Sequence, residues 1–422
     1  MKAVEGWKKE SLGHVAQITM GQSPDSKYYS EEENGLPFLQ GCAEFGRRYP
    51  QNSLCCSQTK KIAKSGSILF SVRAPVGRIN IADSDYIIGR GLAAISGKDI
   101  EQQYLEHLLT FLQPKFHNAS QGSTFEAINS SELIGWPIEF PTSKREQAKI
   151  AEILSTVDRA IEQTEALIAK QQRIKAGLMQ DLLTRGIEEH GNLRSEQTHK
   201  FKDSPLGRIP TEWDVRSLDS IAQFVTSGSR GWAQYYCAEG AIFLRIGNLT
   251  REHINLRLDD IVFVAPPMTS EGKRTAVLAD DLLISITADL GIIGVIPKTL
   301  SEAYVNQHIA LVRLFPAKAN ARFIGWFLSG RGGQTQFEKL NESGAKAGLN
   351  LPTIKRLLVP RPNLAEQAKI TKILDTNARR VRDLQYTLEK CRALKTALMQ
   401  DLLTRKKLVT ALLKRESVLN LT

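Results

Sequence analysis

The chain has 422 residues, enough for two to four domains, and its 42% apolar content is that of a soluble globular protein. No apolar run approaches the roughly 18 residues of a membrane span, and no signal peptide opens the chain. Lys and Arg (56) outnumber Asp and Glu (45), and the net charge of +11 favours a polyanionic partner without naming one. Five cysteines (Cys42, Cys55, Cys56, Cys237, Cys391) form no CxxC pair and no metal-spaced set, which points to a reducing compartment, the cytoplasm.

In chain order, residues 1–142 come first. Ser67-Ile68-Leu69-Phe70-Ser71-Val72 and Tyr86-Ile87-Ile88 are short, β-branched apolar runs that predict strands. Helical periodicity returns at about Tyr104–Leu112. Ser143-Lys144-Arg145-Glu146 then fits a capping box, and a heptad seam follows: Ile150, Leu154, Val157, Ile161, Thr164, Ile168, Gln171, Lys175, Leu178 and Leu182. The spacing predicts one long helix over 143–185, ended by Gly186. Residues 186–205 are polar and charged and read as a linker.

The second half repeats the first. Residues 206–362 echo 1–142 faintly: Trp7-x3-Ser11-Leu12 returns as Trp213-x3-Ser217-Leu218, and Ser67–Val72 as Asp281–Ile286. Ile309-Ala310-Leu311-Val312 is strand-like, and Ala321–Leu328 helical. From Asn363-Leu364-Ala365-Glu366 a second long helix begins, with its seam at Ile370, Leu374, Asn377, Val381, Leu384, Leu388, Cys391, Lys395, Leu398 and Leu402. Two blocks recur unchanged at a spacing of 220. Glu146-Gln147-Ala148-Lys149-Ile150 equals Glu366-Gln367-Ala368-Lys369-Ile370, and Leu178–Arg185 equals Leu398–Arg405. About half of the positions from 146 to 185 match their counterparts.

The expected fold class is mixed α/β: two globular domains, 1–142 and 206–362, separated by a long antiparallel two-helix coiled coil of 143–185 and 363–422, with an internal pseudo-twofold duplication. An antiparallel pair is favoured because the first helix enters a compact second domain and the second leaves it. Each half pairs a varied globular part with a repeated helix. That implies one shared task for the helices and two specificities for the domains.

These residues resemble the specificity subunit of type I restriction-modification enzymes. The resemblance rests on the Glu-Gln-x-x-Ile helix starts, the Leu-Met-x-x-Leu-Leu helix ends, and Ser204-Pro205-Leu206-Gly207-Arg208-Ile209-Pro210-x2-Trp213 opening the second half. It covers nearly the whole chain. It implies two target recognition domains, each binding one part of a split double-stranded DNA sequence, and paired helices that act as spacer and docking site. It also implies a non-catalytic subunit. Adenine methylation with S-adenosylmethionine would lie on two modification subunits, and ATP- and Mg²⁺-dependent cleavage on restriction subunits. No cofactor or metal is expected on this chain.

The residues fit that expectation. No Asn-Pro-Pro-aromatic run and no Gly-x-x-x-x-Gly-Lys-Ser/Thr loop occurs, and the seven His are scattered. A rival reading as a nuclease rests on Asp260 and Glu271-Gly272-Lys273, a triplet common by chance. Another is a scaffold without sequence preference.

Base reading needs forked or amide donors on loops, and phosphates need cations. The candidates in the first domain are Gln40, Arg73, Arg78, Arg90, Ser120, Gln121 and Ser123, with Lys60 and Lys61 on phosphates. In the second they are Arg230, Trp232, Tyr235, Tyr236, Arg245, Lys273, Arg274 and Lys346. Tyr235 and Tyr236 either stack on DNA or belong to the core. Met179 and Leu183, with Met399 and Leu403, are the candidate contacts for two copies of one partner.

Overall fold

A computed structural model describes residues 6–32, 35–51, 54–120, 127–228, 230–342, 349–410 and 413. Gln121, Ser123 and Lys346 lie outside them, as does the side chain of Ser120. The chain forms two compact units, Met1–Glu165 with Thr387–Thr422, and Ala166–Tyr386. Each contains one globular part, the start of its own long helix and the end of the other.

In the first unit a four-stranded antiparallel sheet has the order Ala16–Met20, Leu92–Gly97, Ile68–Ser71, Ile79–Ile81. A second sheet carries a parallel pair, Leu36–Leu39 with Tyr86–Ile88. The predicted strand at Ile68 lies between two cores. Ile68 and Phe70 face the helices, whereas Leu69 faces Leu39 and Ile88 of the other sheet. Successive strand side chains point to opposite faces, so a strand covered on both sides reads as a continuous apolar run.

The second unit repeats the plan. Its antiparallel sheet has the order Ala222–Ser227, Ile309–Leu314, Leu282–Ser285, Ile293–Val295. Its second sheet pairs Ala241–Leu244 parallel to Ala303–Val305.

The long helices span Lys144–Thr184 and Leu364–Leu403. Ser143 Oγ accepts from Glu146 N (3.4 Å), and Asn363 Oδ1 from Glu366 N (2.9 Å), as the cap signals require. Every predicted seam residue is buried or half-buried. Within the first unit Asp158 pairs with Lys395 (2.6 Å) and Glu165 with Arg392 (2.7 Å), so the helices run antiparallel there. Within the second, Asn377 Nδ2 donates to Gln171 Oε1 (3.1 Å), a hydrogen bond between two polar seam residues.

The repeated blocks have a packing reason. Gln147 Nε2 donates to Pro141 O (2.7 Å) while its Oε1 takes Glu101 N (2.7 Å). Gln367 does the same with Pro362 O (2.7 Å) and Asn320 N (2.8 Å). A buried amide with both ends satisfied ties each helix start to its own strand end, and no other side chain of that length offers both groups. Ile150 and Ile370 seat in the adjoining cores. At the far ends Leu182 and Leu183 fill the second unit's core, and Met399, Leu402 and Leu403 the first unit's.

Helix docking uses equivalent places with different chemistry. In the second unit Arg322 forms a two-pronged ion pair with Asp375 (2.7 Å for each prong), and Trp326 Nε1 donates to the same carboxylate (2.8 Å). In the first, His107 Nε2 lies 3.0 Å from Ser155 Oγ, and its Nδ1 lies 3.9 Å from Asp158 Oδ2. Burial holds the imidazole down, from its ordinary 6.5 to about 4, against the pull of Asp158; Lys395 and Arg48 add to the lowering. The folded value lies below the unfolded one. The stabilisation is therefore complete above about pH 6.5 and drains away as the pH falls towards 4, on the order of 3 kcal/mol in all. Denaturant midpoints should drop more between pH 7.5 and pH 5 in the native chain than in His107→Gln. Equal drops would place the titrating group elsewhere.

Candidate nucleic-acid interface

The two globular parts carry one loop frame built twice. Ser71 Oγ donates to Pro75 O (2.6 Å) and accepts from Arg78 N (3.0 Å), and Gly77 N returns to Ser71 O (2.9 Å). Ser285 repeats all three bonds, to Asp289 O (2.5 Å) and from Ile292 N (2.8 Å) and Gly291 N (3.0 Å). Gly77 and Gly291 both take positive φ, 85° and 75°, which a side chain would strain.

Neighbouring loops are held alike. Val72 N donates to Gly91 O (2.9 Å), as Ile286 N does to His308 O (3.0 Å). Gly89 N reaches Leu39 O (2.8 Å), as Asn306 N reaches Leu244 O (3.0 Å). A Cβ on Gly21 would stand 2.1 Å from Gly89 O, and one on Gly228 2.1 Å from Asn306 O. These close approaches bring three loops together in each unit and set four tip positions in register: 23 with 230, 40 with 245, 73 with 287, and 90 with 307.

The tips differ. In the first unit Gln40, Arg73 and Arg90 are exposed. Gln40 Nε2 donates to Ser23 Oγ (3.0 Å), and the same oxygen takes Arg90 N (3.1 Å). In the second unit Arg230 is exposed, and Thr287 and Gln307 are half-buried. Arg230, Thr287 and Gln307 border one open concavity of about 410 Å³.

Several predicted contacts lie elsewhere. Trp232 is core: it is 2% exposed and stacks on Phe243, ring centroids 5.6 Å apart, in a turn entered through Gly231 at φ 77°. Tyr235 is half-buried beside it, whereas Tyr236 is 48% exposed. Arg78 turns back to Cys42 O (3.3 Å) and lies over Phe45. Arg245 is engaged by Asp260 (3.0 Å), and Arg274 by the Thr226 hydroxyl and Ser227 O. Lys60, Lys61 and Lys273 are exposed.

The candidate partner residues on the helix ends are mostly internal. Leu183, Met399 and Leu403 are 4%, 9% and 4% exposed and belong to the chain's own cores, with Met179 half-buried against one of them. A helix stripe that serves a seam at one level serves a domain core at the next, and spacing alone does not separate the two.

A family model described as the type I restriction modification DNA specificity domain matches residues 4–171 and again 210–388. The chain belongs to the type I restriction-modification DNA specificity family. It is thus the specificity component rather than a catalytic one. Among its relatives, the putative MjaX specificity subunit of Methanocaldococcus jannaschii is 39% identical over 184 residues, 43% of either chain. The MjaVIII specificity subunit of the same organism is 21% identical over 96% of this chain and 94% of its own. The EcoBI specificity subunit of Escherichia coli is 23% identical, over 87% and 78%. A solved type I S subunit from M. genitalium has a TM-score of 0.64 at 18% identity, covering 95% of this chain and 98% of its own. Both halves match one model, in agreement with the duplicated loop frame. Among the described residues no helix is long and apolar enough to cross a membrane.

Proposed function

We propose that this cytoplasmic subunit reads a bipartite DNA target and positions methyltransferase and restriction subunits on it. Residues 1–142 and 206–362 are the two target recognition domains. Residues 143–185 and 363–422 hold the spacer helices, and 186–205 connect the halves. The observation that carries this reading is the loop frame: one backbone arrangement, built twice, with different polar tips. A scaffold has no need for that combination, whereas two readers of two different half-sites do. Exposed Lys60, Lys61 and Lys273 supply phosphate contacts.

The test is competition between a target duplex and scrambled duplexes at fixed salt. Specific binding should exceed non-specific binding by roughly a thousandfold or more. One salt-dependent affinity for every duplex would identify a scaffold instead.

The chain takes two modification subunits, together with restriction subunits; S-adenosylmethionine, ATP and Mg²⁺ act on those partners. Identity at Leu182 and Leu183 is explained by core packing. Identity at Gln180 and Thr184, repeated as Gln400 and Thr404, is not, because all four are exposed. Two equivalent surfaces for one partner account for it. The mass of the methyltransferase complex should show two modification subunits per chain, and a one-to-one complex at saturating partner would contradict this.

A further inference from the structure

We propose that Gln307, held in place by His308, reads an adenine in the half-site bound by the second domain. This occurs at the place where the first domain presents Arg90 to a guanine. The inference rests on the DNA-reading function proposed above and names the residues that carry it.

Position 307 is the partner of position 90 through three shared backbone bonds. The residue before each (Asn306, Gly89) donates to the neighbouring strand end, Leu244 O or Leu39 O. The residue after each (His308, Gly91) accepts from Ile286 N or Val72 N. The turn closes from Ile309 N to Asn306 O (3.2 Å) and from Leu92 N to Gly89 O (3.0 Å). Both side chains therefore leave the same backbone platform.

Their surroundings differ in a way that matters for chemistry. The Arg90 guanidinium has no hydrogen-bond or ion-pair partner among the described residues, so its fork is available; forked donors match guanine O6 and N7. The first domain also places exposed Arg73 on the adjoining loop. Gln307 is instead fixed by a chain of polar contacts. Its Nε2 lies 2.9 Å from His308 Nε2, and His308 Nδ1 lies 2.7 Å from Thr287 Oγ1. For the amide nitrogen to donate, His308 Nε2 must be the unprotonated nitrogen, and Nδ1–H then donates to Thr287. That choice orients the amide. One N–H is used on the imidazole, and the second N–H and Oε1 remain for a ligand. A donor and an acceptor side by side are what adenine N7 and N6 require.

His308 has Gly91 as its counterpart, so the first domain has no such brace. Domain 1 thus reads with a cation at this position and domain 2 with a braced amide. The open concavity beside Gln307 is also lined by Arg230, Thr287 and Asn350.

The experiment uses the assembled methyltransferase and its target, found by methylation mapping in a host carrying the complete system. Duplexes carrying 7-deazaadenine at each adenine in turn, which lack the N7 acceptor, compete against the unmodified target. One position in one half-site should lose roughly tenfold or more in affinity. The same substitution should cost nothing further in Gln307→Ala, whose own methylation map should lose its base preference at that position alone. Arg90→Ala should relax a guanine in the other half-site. Insensitivity of the native enzyme to every 7-deazaadenine in the half-site of the second domain would overturn the proposal while leaving DNA reading intact. An active Gln307→Ala enzyme with an unchanged map would also overturn it. Equal binding of target and scrambled duplexes would instead defeat the function on which it rests.

Discussion

Arg194→Ala should destabilise the second unit by about 3–5 kcal/mol, because it leaves a buried carboxylate without its cation. Arg194 and Glu366 are 8% and 5% exposed. Arg194 Nη2 donates to Glu366 Oε2 (3.1 Å), and its Nη1 engages Oε1. Ile187 N (3.0 Å) and the Trp213 indole N–H (3.3 Å) complete the acceptor's partners. The space is closed by Gly186, where a Cβ would stand 2.2 Å from Glu366 Oε1. This one carboxylate therefore fastens the end of the first long helix, the segment after it, and Trp213 to the start of the second long helix. Arg208→Ala serves as the control: its pair with Glu196 (3.0 Å) is more than half exposed on both sides, and such pairs contribute less than about 1 kcal/mol. Chemical denaturation of both variants decides the matter. A loss under 1 kcal/mol for Arg194→Ala would show that the cluster is wetter or more adaptable than its geometry indicates. Adding Glu366→Gln to Arg194→Ala should recover part of the loss, since the unpaired charge is then gone.

Duplicating Ala169-Lys170-Gln171-Gln172 should lengthen the spacer of the DNA target by one or two base pairs and leave both half-sites unchanged. A helix gains about 1.5 Å per residue, so four residues add roughly 6 Å. Base pairs are about 3.4 Å apart, so that is close to two. Rotation nearly agrees. Four residues turn the helix about 40° beyond a full turn, and two base pairs turn the duplex about 70° at roughly 10.5 per turn. Loops and DNA twist must absorb the difference of about 30°. Four residues do not complete a heptad, so the seam shifts locally, and the bond between Asn377 and Gln171 is at risk. Some stability should be lost. Methylation mapping of the insertion variant reads the result, and an active variant that keeps the original spacer would show that the helices do not set the distance.

The helices were legible because their signals are local. Ser143 and Asn363 cap as their side chains predict, and heptad spacing marks residues that are all buried or half-buried. The duplication was legible too, as a matter of counting. What lay beyond reach was which apolar residues on a helix end meet a domain. Leu183 and Met399 look like surface anchors in sequence, yet each fills a core built mostly from strands about a hundred or more residues away. Trp232, a candidate contact in sequence, is core for the same reason: Phe243 and Tyr304 pack on its ring. The segment 186–205 has a linker's composition, but Ile187 and Arg194 pack into the fold. Gln307 and His308 sit at the end of a strand-like run with no pattern of their own. Their significance comes from the backbone match with Arg90 and Gly91, which only the tertiary structure displays. The nearest signal was the pairing of Ser71 with Ser285 in the aligned runs, whose side chains build the loop frame.

The most direct test of the account is a domain exchange. Residues 1–142 are replaced by the same segment of a relative with a different target, and the assembled enzyme is mapped by methylation in a host carrying the complete system. A hybrid target is expected: one half-site replaced by the relative's, the other half-site and the spacer unchanged. A map in which both half-sites change would contradict it, because the two loop frames would then be reading DNA jointly.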